Sequence, residues 1–179
     1  MRYAYGMKSL IPLTLLLAAW PAFAGVIEGR VIEVPDGGTV TVLSNKGASI
    51  HRVRLAGIDA PGRERALGST SRENLRRLAV GKTVRVETSA IDAKGLLLGI
   101  VLVVRNAKEC GDQQCAPLLD PGLSQLSFGL AVIDKANLPR QPESTQKKYA
   151  VAQDQARSSR LGIWREPHFQ VRAEVVPFR

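Results

Sequence analysis

Residues 49–62 read Ser49-Ile50-His51-Arg52-Val53-Arg54-Leu55-Ala56-Gly57-Ile58-Asp59-Ala60-Pro61-Gly62. Through Ile58 the stretch has the alternation of a strand. Ile50, Arg52 and Arg54 fall on one face, and His51, Val53 and Leu55 fall on the other. Arg54 is therefore displayed away from the apolar side. Two more β-prone runs lead into this one. Val26 to Val34 alternates weakly, and Pro35-Asp36-Gly37-Gly38 is a turn cluster. Thr39 to Leu43 is strongly β-prone, and Ser44-Asn45-Lys46-Gly47 is the next turn. Three strands on two short turns form a β-meander.

Downstream the period changes from two to that of a helix. From Gly68 to Ala79, Ser71, Leu75 and Leu78 share one face, with Arg72, Glu73, Arg76 and Arg77 largely outside it, and Gly81 ends the helix. Lys82 to Thr88 is a fourth strand, and the apolar run Leu96 to Val104 is a fifth, central one. Asp120-Pro121 predicts a short second helix ending near Gly129, with a capping carboxylate and Pro at its first position. Leu130 to Ile133 reads as extended. Ser144 is expected to cap a last helix reaching about Arg160, with Tyr149, Ala152 and Ala156 on its inner face. Ile163-Trp164 docks back. Five strands with a helix after the third predict a mainly β chain with helices, a five-stranded Greek-key barrel of OB type. No repeat or interdomain linker interrupts it.

The first residues read as an address. Arg2 and Lys8 precede the apolar run Leu10 to Trp20, and Ala22 and Ala24 stand at −3 and −1 of a cleavage point before Gly25. The run of 11 residues is well short of the roughly 20 that a spanning helix needs. Residues 1–24 are thus expected to be a signal peptide, 25–165 the domain and 166–179 a tail. The protein is expected to be exported, periplasmic or secreted, with no transmembrane segment after processing. In an oxidising compartment Cys110 and Cys115 are expected to form a disulfide closing a tight loop, worth about 2 kcal/mol. The alternatives are two free thiols or a redox pair, whose usual spacer of about two residues is shorter than the four here.

Lys and Arg total 25 against 16 Asp and Glu, a net charge of +9. Loss of Arg2 and Lys8 with the signal leaves +7. That excess favours an anionic partner: nucleic acid, polysaccharide or membrane surface. Two Cys and two His exclude a four-Cys zinc site and argue against a Cys/His metal centre. Aromatic residues at 5% give little support to a base-stacking surface. Tyr149 and Trp164 read as core, and His51 and His168 as surface residues.

The chain resembles the staphylococcal nuclease (thermonuclease) family over roughly residues 26–165. The resemblance runs through Val34-Pro35-Asp36-Gly37-Gly38-Thr39-Val40, Val53 to Pro61, Gly81-Lys82-Thr83-Val84 and Asp92-Ala93-Lys94-Gly95-Leu96-Leu97-Leu98-Gly99. It closes with Gly129-Leu130-Ala131, the Ala152 to Arg160 helix and Gly162-Ile163-Trp164. The resemblance implies an OB-type barrel with three helices. It also implies descent from exported, Ca²⁺-dependent phosphodiesterases that act on DNA and RNA. Such enzymes need carboxylates for calcium, a Glu as base and two Arg for the phosphoryl charge.

Carried over residue by residue, that set is broken. The strand Arg is kept as Arg54, and the Asp after it is kept as Asp59. The second Asp of the family's DGDT turn is Gly38, the Glu of its DxPE segment is Gly62, and its second Arg is Leu96. One metal ligand, the base and one phosphate clamp are lost. Arg54 remains as a vestigial catalytic and anion-binding residue. Asp59, the Ala60 carbonyl and Asp36 remain as a weak or vestigial metal site, with Asp36 also expected to bond its own turn. A base contributes about 10²–10⁴-fold and one charge-stabilising donor about 10²–10³-fold, so losing both predicts on the order of five decades of lost rate. Calcium is expected to bind at millimolar levels or weaker, and no cofactor is required. Glu64, Arg63, Arg65 and Lys94 lie near the lost positions and read as exposed loop charges. The expected function is a nuclease-fold module that binds an anionic ligand or an envelope protein. The alternatives are a residual Ca²⁺-dependent nuclease with rearranged residues and a structural part of an envelope assembly.

Overall fold

The computed structural model describes residues 25–105 and 118–165. The expected signal peptide, the Cys110–Cys115 pair and the tail with His168 lie outside the described residues. The first strand, β1 (Gly25–Asp36), is long enough to serve two neighbours. Its first half pairs antiparallel with β5 (Thr83–Ile91), from Gly25↔Thr88 to Arg30↔Thr83. Its second half pairs with β2 (Thr39–Ser44) through two register shifts, which bend the strand from one neighbour to the other. β2 pairs with β3 (Ile50–Leu55), and β5 pairs with β6 (Leu97–Val104). A parallel pairing of β3 with β6 (Val53↔Leu97, Arg54↔Leu98, Leu55↔Gly99) closes the barrel. The order β3-β2-β1-β5-β6 is the five-stranded OB-type barrel that the strand pattern predicts.

Inward-facing side chains fill the barrel with β-branched and Leu residues: Val31, Val40, Val42, Val53, Val84 and Val86 are all fully buried. Each such burial contributes about 1.5–3 kcal/mol. Helix α1 (Gly68–Ala79) covers the barrel with Leu75 and Ala79. A two-residue strand, β7 (Leu118–Leu119), pairs antiparallel with the end of β6 and leads into α2 (Pro121–Ser127). Asp120 caps α2 by accepting the Leu123 amide at 3.1 Å, as the Asp-Pro pair predicts. The chain then passes through β8 (Val132–Ile133) and a 3₁₀ turn (Leu138–Arg140) into α3 (Glu143–Ser158). Tyr149, Ala152 and Ala156 of α3 are buried. Trp164, in a closing 3₁₀ turn (Gly162–Arg165), packs with Val132, Ala156 and Ile163. The Tyr149 hydroxyl donates to Asp120 Oδ2 at 2.9 Å. Burial raises the Asp120 carboxyl above its ordinary value. Burial, reinforced by the Asp120 charge, raises the Tyr149 phenol too. Among the described residues no helix is long and apolar enough to cross a membrane.

Three sequence expectations need correction. The third strand stops at Leu55 instead of running to Ile58. Gly57 takes a left-handed φ of 77° that reverses the chain, and Ile58–Asp59 becomes a separate strand, β4, paired with β8. The continuous burial of Leu55 to Asp59 already breaks period two. Ser144 is not the cap of α3. The helix starts at Glu143, and the Pro142 carbonyl accepts the amides of Thr145 (2.9 Å) and Gln146 (3.0 Å), so no side chain caps it. The fourth barrel strand also continues past Thr88 to Ile91, lengthening the hairpin that carries Lys94.

Candidate functional site

Three loops meet at one mouth of the barrel. The β1–β2 turn contributes Asp36, Gly37 and Gly38. Asp36 Oδ1 accepts the Gly38 amide at 2.9 Å, so Asp36 braces the turn as its place beside two glycines suggests. The Gly38 carbonyl accepts the Leu55 amide at 2.8 Å, which fastens the turn to the end of β3. The β5–β6 turn is braced in the same way. Asp92 Oδ1 accepts the amides of Lys94 (2.8 Å) and Leu96 (2.9 Å). The third loop leaves β4 through Ala60, Pro61 and Gly62 and reaches α1.

Arg54 points from the outer face of β3, and the Gly57 reversal brings Asp59 back towards it. Arg54 Nη2 donates to Asp59 Oδ1 at 3.0 Å. The Asp59 side chain is 3% exposed and that of Arg54 is 22% exposed. A nearly dry carboxylate is held by a guanidinium that still reaches solvent.

The five positions singled out by sequence all converge. Arg54, Asp59, Gly38, Gly62 and Leu96 line a single cleft of about 280 Å³, together with Asp36, Arg65 and Lys94. Glu64 and Arg63 do not line it. Both are exposed, and Arg63 Nε donates to the Pro35 carbonyl. All four of these charges are exposed, as expected of loop residues, and Arg65 and Lys94 also form walls of the cleft.

Two of the three altered positions, Gly62 and Gly38, leave room for a side chain. At Gly62 an added Cβ would meet nothing within 4 Å. At Gly38 it would stand 3.4 Å from the Ala60 Cβ, an ordinary contact. The backbone at both sites accepts a side chain, so neither glycine is required by the fold. Gly37 is the opposite case, because a Cβ there would run into Ser71 Oγ. Among the described residues no group of three or more His, Cys, Asp or Glu side chains is gathered to hold a metal ion.

One supporting residue escaped the sequence reading. Gln125 of α2 is fully buried, and its Nε2 donates to the Gly37 carbonyl at 2.6 Å and the Ser71 carbonyl at 2.8 Å. Its Oε1 accepts from Asn74 Nδ2 at 2.8 Å. The side chain ties α1, α2 and the Asp36–Gly38 turn together beneath the cleft. A glutamine reads as a surface residue by type. The available signal was its i,i+4 spacing from Pro121 on the buried face of α2.

Comparison with known proteins agrees with this geometry. The family profile described as "Staphylococcal nuclease homologue" matches residues 52–166. An uncharacterized endonuclease of Escherichia coli O157:H7 is 39% identical over 95 residues, 53% of this chain and 61% of that protein. This chain thus matches about three fifths of that relative's length. A micrococcal nuclease of Shigella flexneri is 30% identical over 169 residues, 92% of this chain and 88% of the relative. Protein ParB of Escherichia coli is 30% identical over 168 residues, 93% and 89% of the two chains.

Proposed function

The chain belongs to the staphylococcal nuclease homologue family, and from that premise we propose that its cleft binds a phosphate-bearing anion without hydrolysing it. The observation that carries the reading is the content of one cleft. The Arg54–Asp59 pair is retained, while a hydrogen stands at positions 38 and 62 and an isobutyl group at 96. Hydrolysis needs a positioned base for the attacking water and donors for the charge that develops on the phosphoryl oxygens. Position 62 offers no atom to take a proton, and position 96 offers no donor. Binding asks for less. Arg54, Arg65 and Lys94 line the cleft against two carboxylates, and Asp59 already holds Arg54.

Calcium fits this donor set poorly. The ion takes six to eight oxygen ligands, usually with several carboxylates among them. Asp36 and Asp59 are the two available in the cleft, and each already has an oxygen in a hydrogen bond to a neighbour. The same reading includes export through residues 1–24 to a periplasm or the exterior, where free polyanions are at hand.

A nuclease assay tests the proposal. The protein is incubated with DNA and RNA in millimolar Ca²⁺, beside a variant carrying Gly38→Asp, Gly62→Glu and Leu96→Arg. Wild type is expected to show no metal-dependent cleavage while retaining oligonucleotide binding that weakens with salt. The triple variant is expected to gain chelator-sensitive activity, because positions 38 and 62 have room for the new side chains. Chelator-sensitive cleavage by wild type, abolished by Asp59→Ala, would overturn the proposal. That outcome would favour a rearranged nuclease, a second reading supported by Arg65 and Lys94 in the cleft walls and by relatives named as endonucleases.

A further inference from the structure

Helix α2 carries apolar side chains on two of its sides. Leu126 is fully buried in the main core, as the inner face of a surface helix should be. Leu123 with Ser127, and Ser124 with Phe128 just past the helix end, share another side at i,i+4 spacing. That side and the outer face of β6, with Ile100 and Leu102, bound a recess of about 620 Å³. Leu118 and Leu119 of β7 continue its apolar wall. Phe128 is 56% exposed and Leu118 is 38% exposed, so large apolar side chains stand open to water here. The volume falls in the roughly 300–1,000 Å³ range of small-molecule sites, which are likewise walled by apolar groups with a few polar ones among them.

The polar groups decide which ligand the recess takes. Two acids and two cations line it, and the acids are already engaged. Asp120 accepts the Leu123 amide at 3.1 Å and the Tyr149 hydroxyl at 2.9 Å. Glu87 pairs with Arg85 at 3.4 Å. The Ser127 hydroxyl donates to the Leu123 carbonyl of its own helix at 2.9 Å, which leaves that wall drier. Arg105 and Lys148 differ from these. Both line the recess, and among the described residues neither side chain forms a hydrogen bond or an ion pair. The charge of Lys148 is felt by Asp120 without a bond between them. Two unpaired cations at the edge of an apolar wall complement an anionic head on an apolar chain, and a charge-assisted hydrogen bond to either would be a strong one.

We infer that this recess binds a medium-chain aliphatic carboxylate. The head sits at Arg105 and Lys148, and the chain lies along Leu102, Leu119, Leu123 and Phe128. The site shares no lining residue with the Arg54–Asp59 cleft and does not depend on the phosphate-binding reading. The charged head fixes orientation, and burial of the chain supplies most of the affinity.

Isothermal titration calorimetry on protein purified from an exporting host tests the site. The probes are hexanoate, octanoate, decanoate and n-octylamine, each below the concentration at which it forms micelles. Affinity for the carboxylates is expected to rise about fourfold per added methylene. Octylamine has the same chain and the opposite charge, and is expected to bind about tenfold more weakly than octanoate, or worse. Lys148→Glu reverses one head contact and is expected to weaken octanoate about tenfold or more. Lys148→Arg keeps the charge and should retain binding. Lys147→Glu makes the same change in net charge as Lys148→Glu. Lys147 is exposed, pairs with Glu143 and does not line the recess, so this variant should stay within about twofold of wild type. Far-UV circular dichroism verifies that each variant is folded. Amide NMR shifts on adding decanoate should gather in residues 119–128 and 145–148 and spare 36–38 and 92–96. Four results overturn the site: no binding of decanoate, affinity independent of chain length, octylamine bound as tightly as octanoate, or equal effects of Lys147→Glu and Lys148→Glu. Shifts confined to the mouth of the barrel overturn it as well, and assign the carboxylate to the Arg54–Asp59 cleft. Each of these outcomes leaves the proposed function of that cleft standing.

Discussion

Arg54 and Asp59 are five residues apart in sequence and meet because the chain turns back between them at Gly57. The pair is asymmetric, because the acid is buried and the base reaches water. Removing the two partners should therefore have different consequences. Arg54→Ala leaves a carboxylate in a nearly dry site without its guanidinium, and is expected to cost about 2–4 kcal/mol in urea denaturation. Asp59→Ala leaves a cation that can rotate into solvent, and is expected to cost about 1 kcal/mol. The double variant should fall between the two single ones. Equal costs for the single variants would mean that burial does not govern this pair. Both residues were legible in the sequence, since the alternation set the face of Arg54 and the resemblance singled out Asp59, but their bond to each other appears only in the fold. The role of Gln125 was not. Its importance comes from the Gly37 carbonyl and the Ser71 main chain, and no residue type announces a contact to a backbone that is distant in sequence.

At the scale of elements, sequence reading succeeded where one local rule acts and failed where two compete. Helix α1 runs from Gly68 to Ala79 as its periodicity predicts, and Asp120-Pro121 starts α2 as capping chemistry predicts. The end of β3 was misplaced because apolar residues on both sides of Gly57 imitate a continuing buried strand. The start of α3 was misplaced because Ser144 is a good cap by type, yet Pro142 already supplies the first turn. Asp120 provides a pH test of how α2 and α3 pack. Burial raises its carboxyl above the ordinary value of 3.8. An acid raised on folding binds its proton more readily in the folded state. Its contribution to stability is fully present below the unfolded value and is lost as pH rises through the folded one. Asp120→Asn keeps an acceptor for the Leu123 amide and for the Tyr149 hydroxyl, and it removes the buried charge. The variant is expected to be at least as stable as wild type at pH 7.5, with an advantage that shrinks as pH falls towards 4. Parallel urea titrations at several pH values measure it. A stability difference that stays constant with pH would show that Asp120 titrates alike in the folded and unfolded states.

For the whole molecule, the surplus of positive charge first suggested an anionic partner without saying where it binds. The fold distributes that charge. Arg76 pairs with Glu73 and Arg85 with Glu87, while the loops bring Arg65 and Lys94 to the cleft and Arg140 to a further recess that Lys94 also lines. The cleft is only as well defined as the packing behind it. The main core joins Val and Leu side chains of the barrel with Leu75 of α1, Leu126 of α2 and Tyr149 and Ala152 of α3. The smaller cluster around Trp164 is tied to that core through α3, because Ala156 lies one turn beyond Ala152 on the same helix. A helix that contributes to both clusters should not let one melt before the other. Once Trp20 is removed by processing or changed to Phe, Trp164 is the sole tryptophan and reports on the smaller cluster, while far-UV circular dichroism reports on barrel and helices together. The two urea transitions are expected to coincide in midpoint and slope, as one cooperative unit requires. An earlier tryptophan transition would show that the C-terminal cluster unfolds on its own. The cleft would then rest on the main core alone, which keeps Leu126 of α2 and Tyr149 of α3.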